Sequence, residues 1–557
     1  MSNMLRRIIG LIVGIVSLGI VIWIYGLYQQ HSAALYQLTS LVKTSREEFN
    51  KKSGTLAPVR VISPKSGETW LDVQKKVRDT VVQVYSHIAE FNWIEPYKSP
   101  DINETAGSGF FVNNQGDLIT NYHVVAQSCG IEIQIPSFGL ERFDVDIIGV
   151  CPERDIALLR LSKEAQERIM HTHKTIPWLK LGDSDLVLRS QEVLALGYPL
   201  GQTRLKSTLG IVSGREHGFI QITAPLNPGN SGGPALDTNG EVIGINSRGI
   251  LEAQNVGYII PINEVKSTLQ DLYKIKLLRK PTLGCIFTHG TPEMVQYLGN
   301  PSQGGWYIAK VFEGTLLANL GVKEGDMLYQ INNYDVDLYG DINVPWSEDK
   351  ISLLEFLNRL MIGDSLNFVI YRKGICKTFK SVFKHTYLPP VRMIYPEFED
   401  EATDYEIFGG LVVMPLSLNH VGILIQRVPG LVRYGNTELQ HEPALVVTNI
   451  LPNSQASRAR ILHMGQIIEE VNDQKVKTLE DFRNAILKSK ASRYITLRTD
   501  ENFYAVLSVD KILKEEDMLV SRYFFEKSPL LKQLEITPPQ LPANNPLPQG
   551  KIHEKAS

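Results

Sequence analysis

The chain has 557 residues, a formal net charge of −3, 43% hydrophobic residues and 21% charged ones. That length exceeds what one hydrophobic core serves and predicts about three or four domains, while the composition excludes a disordered protein. The charge balance excludes an ordinary nucleic-acid binder, which would carry a basic excess, and no basic stretch has interleaved aromatics. Cys129, Cys151, Cys285 and Cys376 are too few for a disulfide scaffold and lack metal-ligand spacing, so no metal and no cofactor is expected. Two pairs, Cys129 with Cys151 and Cys285 with Cys376, can approach each other; buried free thiols are an equal alternative.

Residues 8–27 carry no charge and have the length, about 20 residues, that spans a hydrocarbon core. Arg6 and Arg7 precede them, which keeps the N-terminus cytoplasmic and sends the rest across. A cleaved signal peptide, processed near Ser32-Ala33-Ala34, is the rival. Its apolar core would be only about 7–15 residues long, so a membrane anchor over 1–30 is the expectation. Residues 31–70 are polar, with Lys43, Arg46, Lys51 and Lys52 and turn formers at Ser53-Gly54, Pro58 and Pro64-Lys65-Ser66-Gly67. They predict a short juxtamembrane helix and a linker.

Residues 71–278 read as one β-rich domain. Short apolar runs such as 81–85, 131–135 and 219–222 are bounded by Gly, Asn, Asp and Pro, at a spacing that suits a barrel. Helical spacing over 265–278 closes the domain. Three local frames carry chemistry. His123 directly follows the apolar stretch Leu118-Ile119-Thr120, and Asp155 leads into Ile156-Ala157-Leu158-Leu159. Ser231 lies in Asn227-Pro228-Gly229-Asn230-Ser231-Gly232-Gly233-Pro234, ahead of a strand at 242–245. Each frame alone is an ordinary strand end, turn or loop. Histidine, aspartate and serine in that order resemble the chymotrypsin-type arrangement, in which serine attacks a carbonyl, histidine shuttles its proton and aspartate fixes the imidazole. A glycine-rich turn around the serine lets backbone N–H groups converge on an oxyanion.

Six stretches extend the likeness: Ala106-Gly107-Ser108-Gly109-Phe110-Phe111-Val112, 118–125, 155–159, Leu196-Gly197-Tyr198-Pro199-Leu200-Gly201, Gly210-Ile211-Val212-Ser213 and 227–234. With Asn255-Val256-Gly257-Tyr258-Ile259-Ile260-Pro261, they make the chain resemble the HtrA/Deg family of trypsin-like serine proteases over roughly 75–510. The resemblance implies an all-β, chymotrypsin-like double barrel followed by two PDZ-like α+β domains. It implies His123, Asp155 and Ser231 as the triad, the N–H groups of Gly229 and Ser231 as the oxyanion hole, and Ser247, Arg248 and Gly249 alongside the substrate backbone. It also implies a homo-oligomer, trimeric or a multiple of that, and ATP-independent cleavage of unfolded protein. Tyr122, where smaller or polar residues are commoner, is a departure expected to pack beside the site.

Residues 281–384 resemble a PDZ domain. Leu283, Gly284, Cys285 and Ile286 look like its carboxylate loop, and bulk at Gly284 is expected to block the groove. Gly321-Val322-Lys323-Glu324-Gly325-Asp326 matches its glycine-then-aspartate turn. Such a domain adds a peptide as a strand, unless its own chain fills the groove. The segment 339–346 resembles an insertion of plant-type Deg proteins. Residues 405–510 resemble a second, divergent PDZ domain with Gln466 in place of the aspartate, which points to assembly as much as to ligand binding. Over 511–557 a helix containing Arg522-Tyr523-Phe524-Phe525 and a disordered, proline-rich tail from Pro538 are expected. The expected function is a membrane-anchored serine endopeptidase acting on unfolded proteins outside the cytoplasm. The alternatives are a holdase and a signalling protease with one membrane partner.

Overall fold

The computed structural model describes residues 70–249, 255–302, 304–384, 387–488 and 493–535. The expected anchor, nearly all of the linker and the proline-rich tail lie outside the described residues. Among those described, no helix is long and apolar enough to cross a membrane.

Six strands close the first barrel: β1 (Val81–Ala89), β2 (Ile102–Phe111), β3 (Asp117–Thr120), β4 (Ser128–Gln134), β5 (Arg142–Cys151) and β6 (Ile156–Leu161). Six more close the second: β7 (Glu192–Gly197), β8 (Lys206–Glu216), β9 (Phe219–Ile222), β10 (Pro234–Leu236), β11 (Val242–Gly249) and β12 (Gly257–Pro261). Neighbours run β1-β2-β3-β6-β5-β4 in one and β7-β8-β9-β12-β11-β10 in the other, the same order twice. Each barrel has its own apolar core, and a third cluster joins Phe110, Ile119 and Leu158 to Leu194, Leu196, Tyr198 and Ile245 across the seam. Burial of that cluster fixes the two barrels against each other. The closing helix runs over Ile262–Leu272, shorter than expected. Beyond it the backbone pairs with β5 instead, Val150 N–H donating to Lys276 O and Leu278 N–H to Val150 O, both at 2.8 Å.

Two further sheets follow. The first contains β13 (Cys285–Thr288), β14 (Trp306–Val311), β15 (Met327–Ile331), β16 (Tyr334–Asp335), β19 (Ser365–Arg372) and β20 (Ile375–Val382), with a small ladder of β17 (Asp341–Ile342) and β18 (Ile351–Ser352) beside it. The second contains β21 (Glu406–Phe408), β22 (Leu411–Pro415), β23 (Leu445–Ile450), β24 (Ile467–Val471), β25 (Gln474–Lys475), β26 (Tyr494–Thr499) and β27 (Tyr504–Ser508). The order β13-β14-β15-β19-β20, with β16 on β15, is repeated by β22-β23-β24-β26-β27, with β25 on β24. Strand β21 is the addition. The C-terminal helix spans Val509–Tyr523 and ends because Phe524 takes a left-handed φ of 58°, so the two phenylalanines fall outside it. A last helix, Pro529–Glu535, sends Leu530 and Leu531 into the second sheet's core.

Both sheets dock on the barrels, by different physics. The first docks mainly through charge: Arg359 grips Asp185 at 2.6 and 2.7 Å, Arg154 donates to Leu360 O at 3.0 Å, and Arg189 pairs with Glu348 and Asp349. Trp346, from the 339–346 insertion, covers Arg359 at 4.3 Å. The second docks through apolar surface, since Trp93 of the β1–β2 loop is buried among Val391, Met414, Leu416, Val421 and Leu424.

Glu264 lies buried at the first of these interfaces. Burial pushes its carboxyl up to about 7, against the opposing pull of Arg154, Arg359 and Lys280 and with a small push from Glu355. A carboxyl raised in the folded state holds its proton more tightly there than when unfolded, so its stabilising contribution is complete at low pH and is lost as pH rises from its ordinary 4.5 towards 7. Raising the pH from about 5 to about 8 should therefore lower the Tm of the wild type relative to Glu264→Gln. Melting curves of the two proteins at both pH values, with an unchanged difference between them, would contradict this.

Candidate functional site

Strand ends at the seam bring the three candidate side chains together. His123 lies in a helical turn, Tyr122–Val125, that follows β3. Asp155 ends the turn Pro152–Arg154 with a left-handed φ of 55° and leads into β6. Ser231 sits between Gly229 and Gly232, whose φ values are 97° and 85°. Glycine is required at both. A Cβ at Gly229 would collide with Tyr198 O, and one at Gly232 with Ser108 O and Thr120 Oγ1.

The Asp155 carboxylate receives His123 Nδ1 at 2.9 and 3.0 Å and the His123 backbone N–H at 2.9 Å. Ser247 Oγ donates to the same carboxylate at 3.4 Å, and Asn121 Nδ2 holds Asp155 O at 2.9 Å. An imidazole that donates from Nδ1 presents Nε2 as its acceptor, the tautomer a general base needs. Ser231 Oγ donates to Ser247 O at 2.9 Å and makes no hydrogen bond to His123. The N–H groups of Gly229 and Ser231 have no acceptor among the described residues. In a turn this closely packed, two free donors are available to an incoming oxyanion.

Ser108, which the sequence marks only as part of 106–112, has a role of its own. Its side chain is fully buried at the seam. Its hydroxyl accepts from Tyr198 N–H at 2.9 Å and donates to Gly229 O at 2.6 Å, while its backbone N–H donates to Ser231 O at 2.8 Å. One residue of the first barrel thus clamps both sides of the serine turn on the second. The local signal was Gly107-Ser108-Gly109, a small polar residue within an apolar strand.

Ser247 sits at a register shift in β11, and Arg248 and Gly249 continue the strand by pairing with Tyr258 and Gly257. In the first PDZ-like sheet, Gly284 has a φ of 74° and points towards Thr315, with which any Cβ would collide. Bulk there would break the loop rather than fill a groove, contrary to expectation. Leu283 O accepts Leu317 N–H at 3.2 Å and Gly284 O accepts Phe312 N–H at 3.1 Å. Cys285 and Ile286 begin β13, which pairs with β14 and leaves its other edge open among the described residues.

The second sheet differs at that edge. Gly410 faces Ser454 as Gly284 faces Thr315, but β21 runs antiparallel along β22 and takes the place of an added peptide. Arg483, on the helix Leu479–Lys488, fixes β21 through Glu406 at 2.7 Å. Gln466 is not the source of this closure: it accepts from His463 N–H at 2.8 Å as Asp326 accepts from Lys323 N–H at 2.8 Å. All four cysteines are free thiols, so neither suggested pair is joined. Among the described residues, one grouping, His87, Glu104 and Glu132, has ligand spacing, and Arg142 already bridges its two carboxylates at 2.8 and 3.0 Å.

Ser108→Ala should leave a buried N–H and a buried C=O without partners, each a loss of about 1–3 kcal/mol. We expect a lowered Tm together with a fall in turnover larger than any change in KM. Wild-type kinetics in purified Ser108→Ala would remove the clamp from the argument.

Residues 107–245 match the trypsin-like peptidase domain family and residues 394–528 the PDZ domain family. The chain is 27% identical over 450 residues to the chloroplastic protease Do-like 2 of Arabidopsis thaliana, covering 77% of this chain and 71% of that one. It is 27% identical over 402 residues to the periplasmic serine endoprotease DegP of Salmonella typhimurium, covering 69% and 72%. To serine protease HhoB of Synechocystis sp. it is 29% identical over 265 residues, which are 44% of this chain and 61% of that one. These matches fall on the barrels and sheets whose strand ends and turns have just been described: the chain carries a trypsin-like peptidase domain and a PDZ domain and is similar to serine proteases of the HtrA/Deg type, some of which, HhoB among them, it spans over less than two thirds of their length.

Proposed function

We propose that this protein is a PDZ-regulated serine endopeptidase that cleaves unfolded proteins outside the cytoplasm, held to a membrane by residues 8–27. The observation that carries this reading is the convergence at one seam of a carboxylate-bound imidazole, a serine hydroxyl and two unused N–H donors. Ser231 Oγ would attack the scissile carbonyl carbon while His123 Nε2 takes its proton. Asp155 would stabilise the imidazolium, and the N–H groups of Gly229 and Ser231 the oxyanion. His123 would then return the proton to the leaving amine, and water would repeat the cycle to release the acyl group.

Residues 71–278 form the protease in this reading, and 281–384 and 405–510 the two PDZ domains, the second extending to the match at 394–528. The open edge of β13 makes the first PDZ domain the one that takes a peptide C-terminus, and the filled edge of β22 makes the second a structural element. A homo-oligomer, trimeric or a multiple, fits the family. The hydroxyl of Ser231, turned to Ser247 O, describes a resting serine that must swing to His123 before attack. The three side chains and the glycine turn together favour a protease over a holdase, which has no use for them.

Ser231→Ala should abolish casein cleavage with fold intact, a loss of about 10⁴–10⁶ in rate, His123→Ala should be nearly as severe, and Asp155→Asn milder. Cleavage that survives in rigorously purified Ser231→Ala would end the assignment. Peptides with free apolar C-termini should accelerate cleavage of a short reporter, and amidating them should remove the effect. The couplings typical of allostery, about 1–3 kcal/mol, correspond to roughly 5–150-fold. Activation indifferent to amidation would mean that β13 does not serve as the ligand edge.

A further inference from the structure

Between the two PDZ-like sheets runs a segment, residues 391–401, to which the sequence assigned no role. One end is built into the stretch between β22 and β23: Val391 N–H donates to Gln440 O at 3.0 Å and Leu418 N–H to Arg392 O at 2.9 Å. The other end belongs to the protease, with Phe398 buried in the first barrel's core. Between them it passes the turn that carries His123. Tyr122, the residue before the histidine, donates its hydroxyl to Glu397 Oε1 at 2.6 Å and meets the Tyr395 ring edge-on at 5.5 Å. Gln127, just beyond the turn, donates its N–H to the same Glu397 oxygen at 3.2 Å. A single carboxylate oxygen therefore holds the His123 turn at both ends.

Further contacts widen the grip. Gln127 Oε1 accepts from Phe91 N–H at 2.7 Å, which ties the turn to the loop whose Trp93 is buried against β22 and the stretch that follows it. Arg279 reaches Met393 O at 2.9 Å, Glu401 at 2.6 Å and Glu153 at 3.3 Å, and stacks on Tyr395 at 4.5 Å. Glu153 lies in the turn that ends at Asp155. The strap thus reaches the turn of His123 directly and that of Asp155 through Arg279. Glu397 Oε2 is buried and has no hydrogen-bond partner, an arrangement unfavourable for a carboxylate that served packing alone.

We propose that Glu397 is a positioning residue: through Tyr122 and Gln127 it sets the pose of His123, so that the seating of the second PDZ domain on the first barrel governs the rate of acyl transfer. This rests on the triad reading above. A ring displaced by a fraction of an ångström loses the pose from which it can take the Ser231 proton, whereas none of these contacts holds the substrate, so the effect falls on turnover and not on binding.

The test uses the full-length protein, a short reporter peptide and a fluorophosphonate probe, whose rate of labelling reads the reactivity of the serine. Glu397→Ala and Tyr122→Phe should each lower kcat and the labelling rate by about tenfold or more, with KM within about twofold. Glu397→Gln retains an acceptor for both donors and should behave as the wild type. Unchanged kcat in Glu397→Ala and Tyr122→Phe overturns the proposal. So does a loss in Glu397→Ala that Glu397→Gln fails to rescue, or a change confined to KM. Tyr122→Phe removes a single oxygen and keeps the proposal testable if Glu397→Ala does not fold. A wild type that labels no faster than Ser231→Ala would instead refute the triad reading, and this inference with it.

Discussion

The hydroxyl of Ser108 is the contact on which the site depends. Each barrel closes on itself, so nothing in either one's hydrogen-bond ladder fixes the other. The candidate histidine and aspartate belong to the first barrel and the candidate serine to the second. Apolar burial across the seam holds the barrels together but is non-directional and does not set an angle. Ser108 supplies direction, because a hydroxyl that accepts from Tyr198 and donates to Gly229 satisfies both bonds in only a narrow range of geometries. The left-handed glycines then matter because a side chain at Gly229 or Gly232 would occupy the space through which this clamp closes.

Much of this was legible from residue order. His123, Asp155 and Ser231 announce themselves because each needs a particular local backbone, a strand end or a glycine turn, and local backbone is written locally. Barrel strands such as 81–85 and 219–222 follow from short apolar runs between turn formers. The strap and the seat of Trp93 were not legible. They join segments far apart in the chain, as Tyr122 joins Glu397, and such contacts leave no period in either segment. Tyr122 was read as packing beside the site, whereas its hydroxyl is a specific donor. Gly284 shows the opposite failure. The loop was found, but the direction of a missing side chain follows from φ and is absent from the sequence. Gln466 in place of an aspartate points to assembly as much as to ligand binding, yet its amide oxygen caps the same turn that Asp326 caps with a carboxylate.

The two docking interfaces respond to different conditions. Ion pairs such as Arg189 with Glu348 are partly exposed and weaken as salt screens them. Trp93 in its apolar pocket is not screened by salt, and salts that strengthen hydrophobic burial tighten it. One chain thus carries two hinges with different solvents for their release. Asp155 lies next to the first through Arg154, and His123 next to the second through Tyr122 and Gln127.

Strand β21 also changes the arithmetic of competition. It is joined to β22 by only Gly409 and Gly410, so it is presented to that edge at an effective concentration on the order of millimolar or above, whatever the protein's own concentration. A free peptide at micromolar levels would have to bind β22 about a thousandfold more tightly than β21 does to displace it. Soluble chain ends are therefore outcompeted by tethering alone, before any side chain has been compared. Any peptide adding to β22 would first have to displace a strand of the same chain.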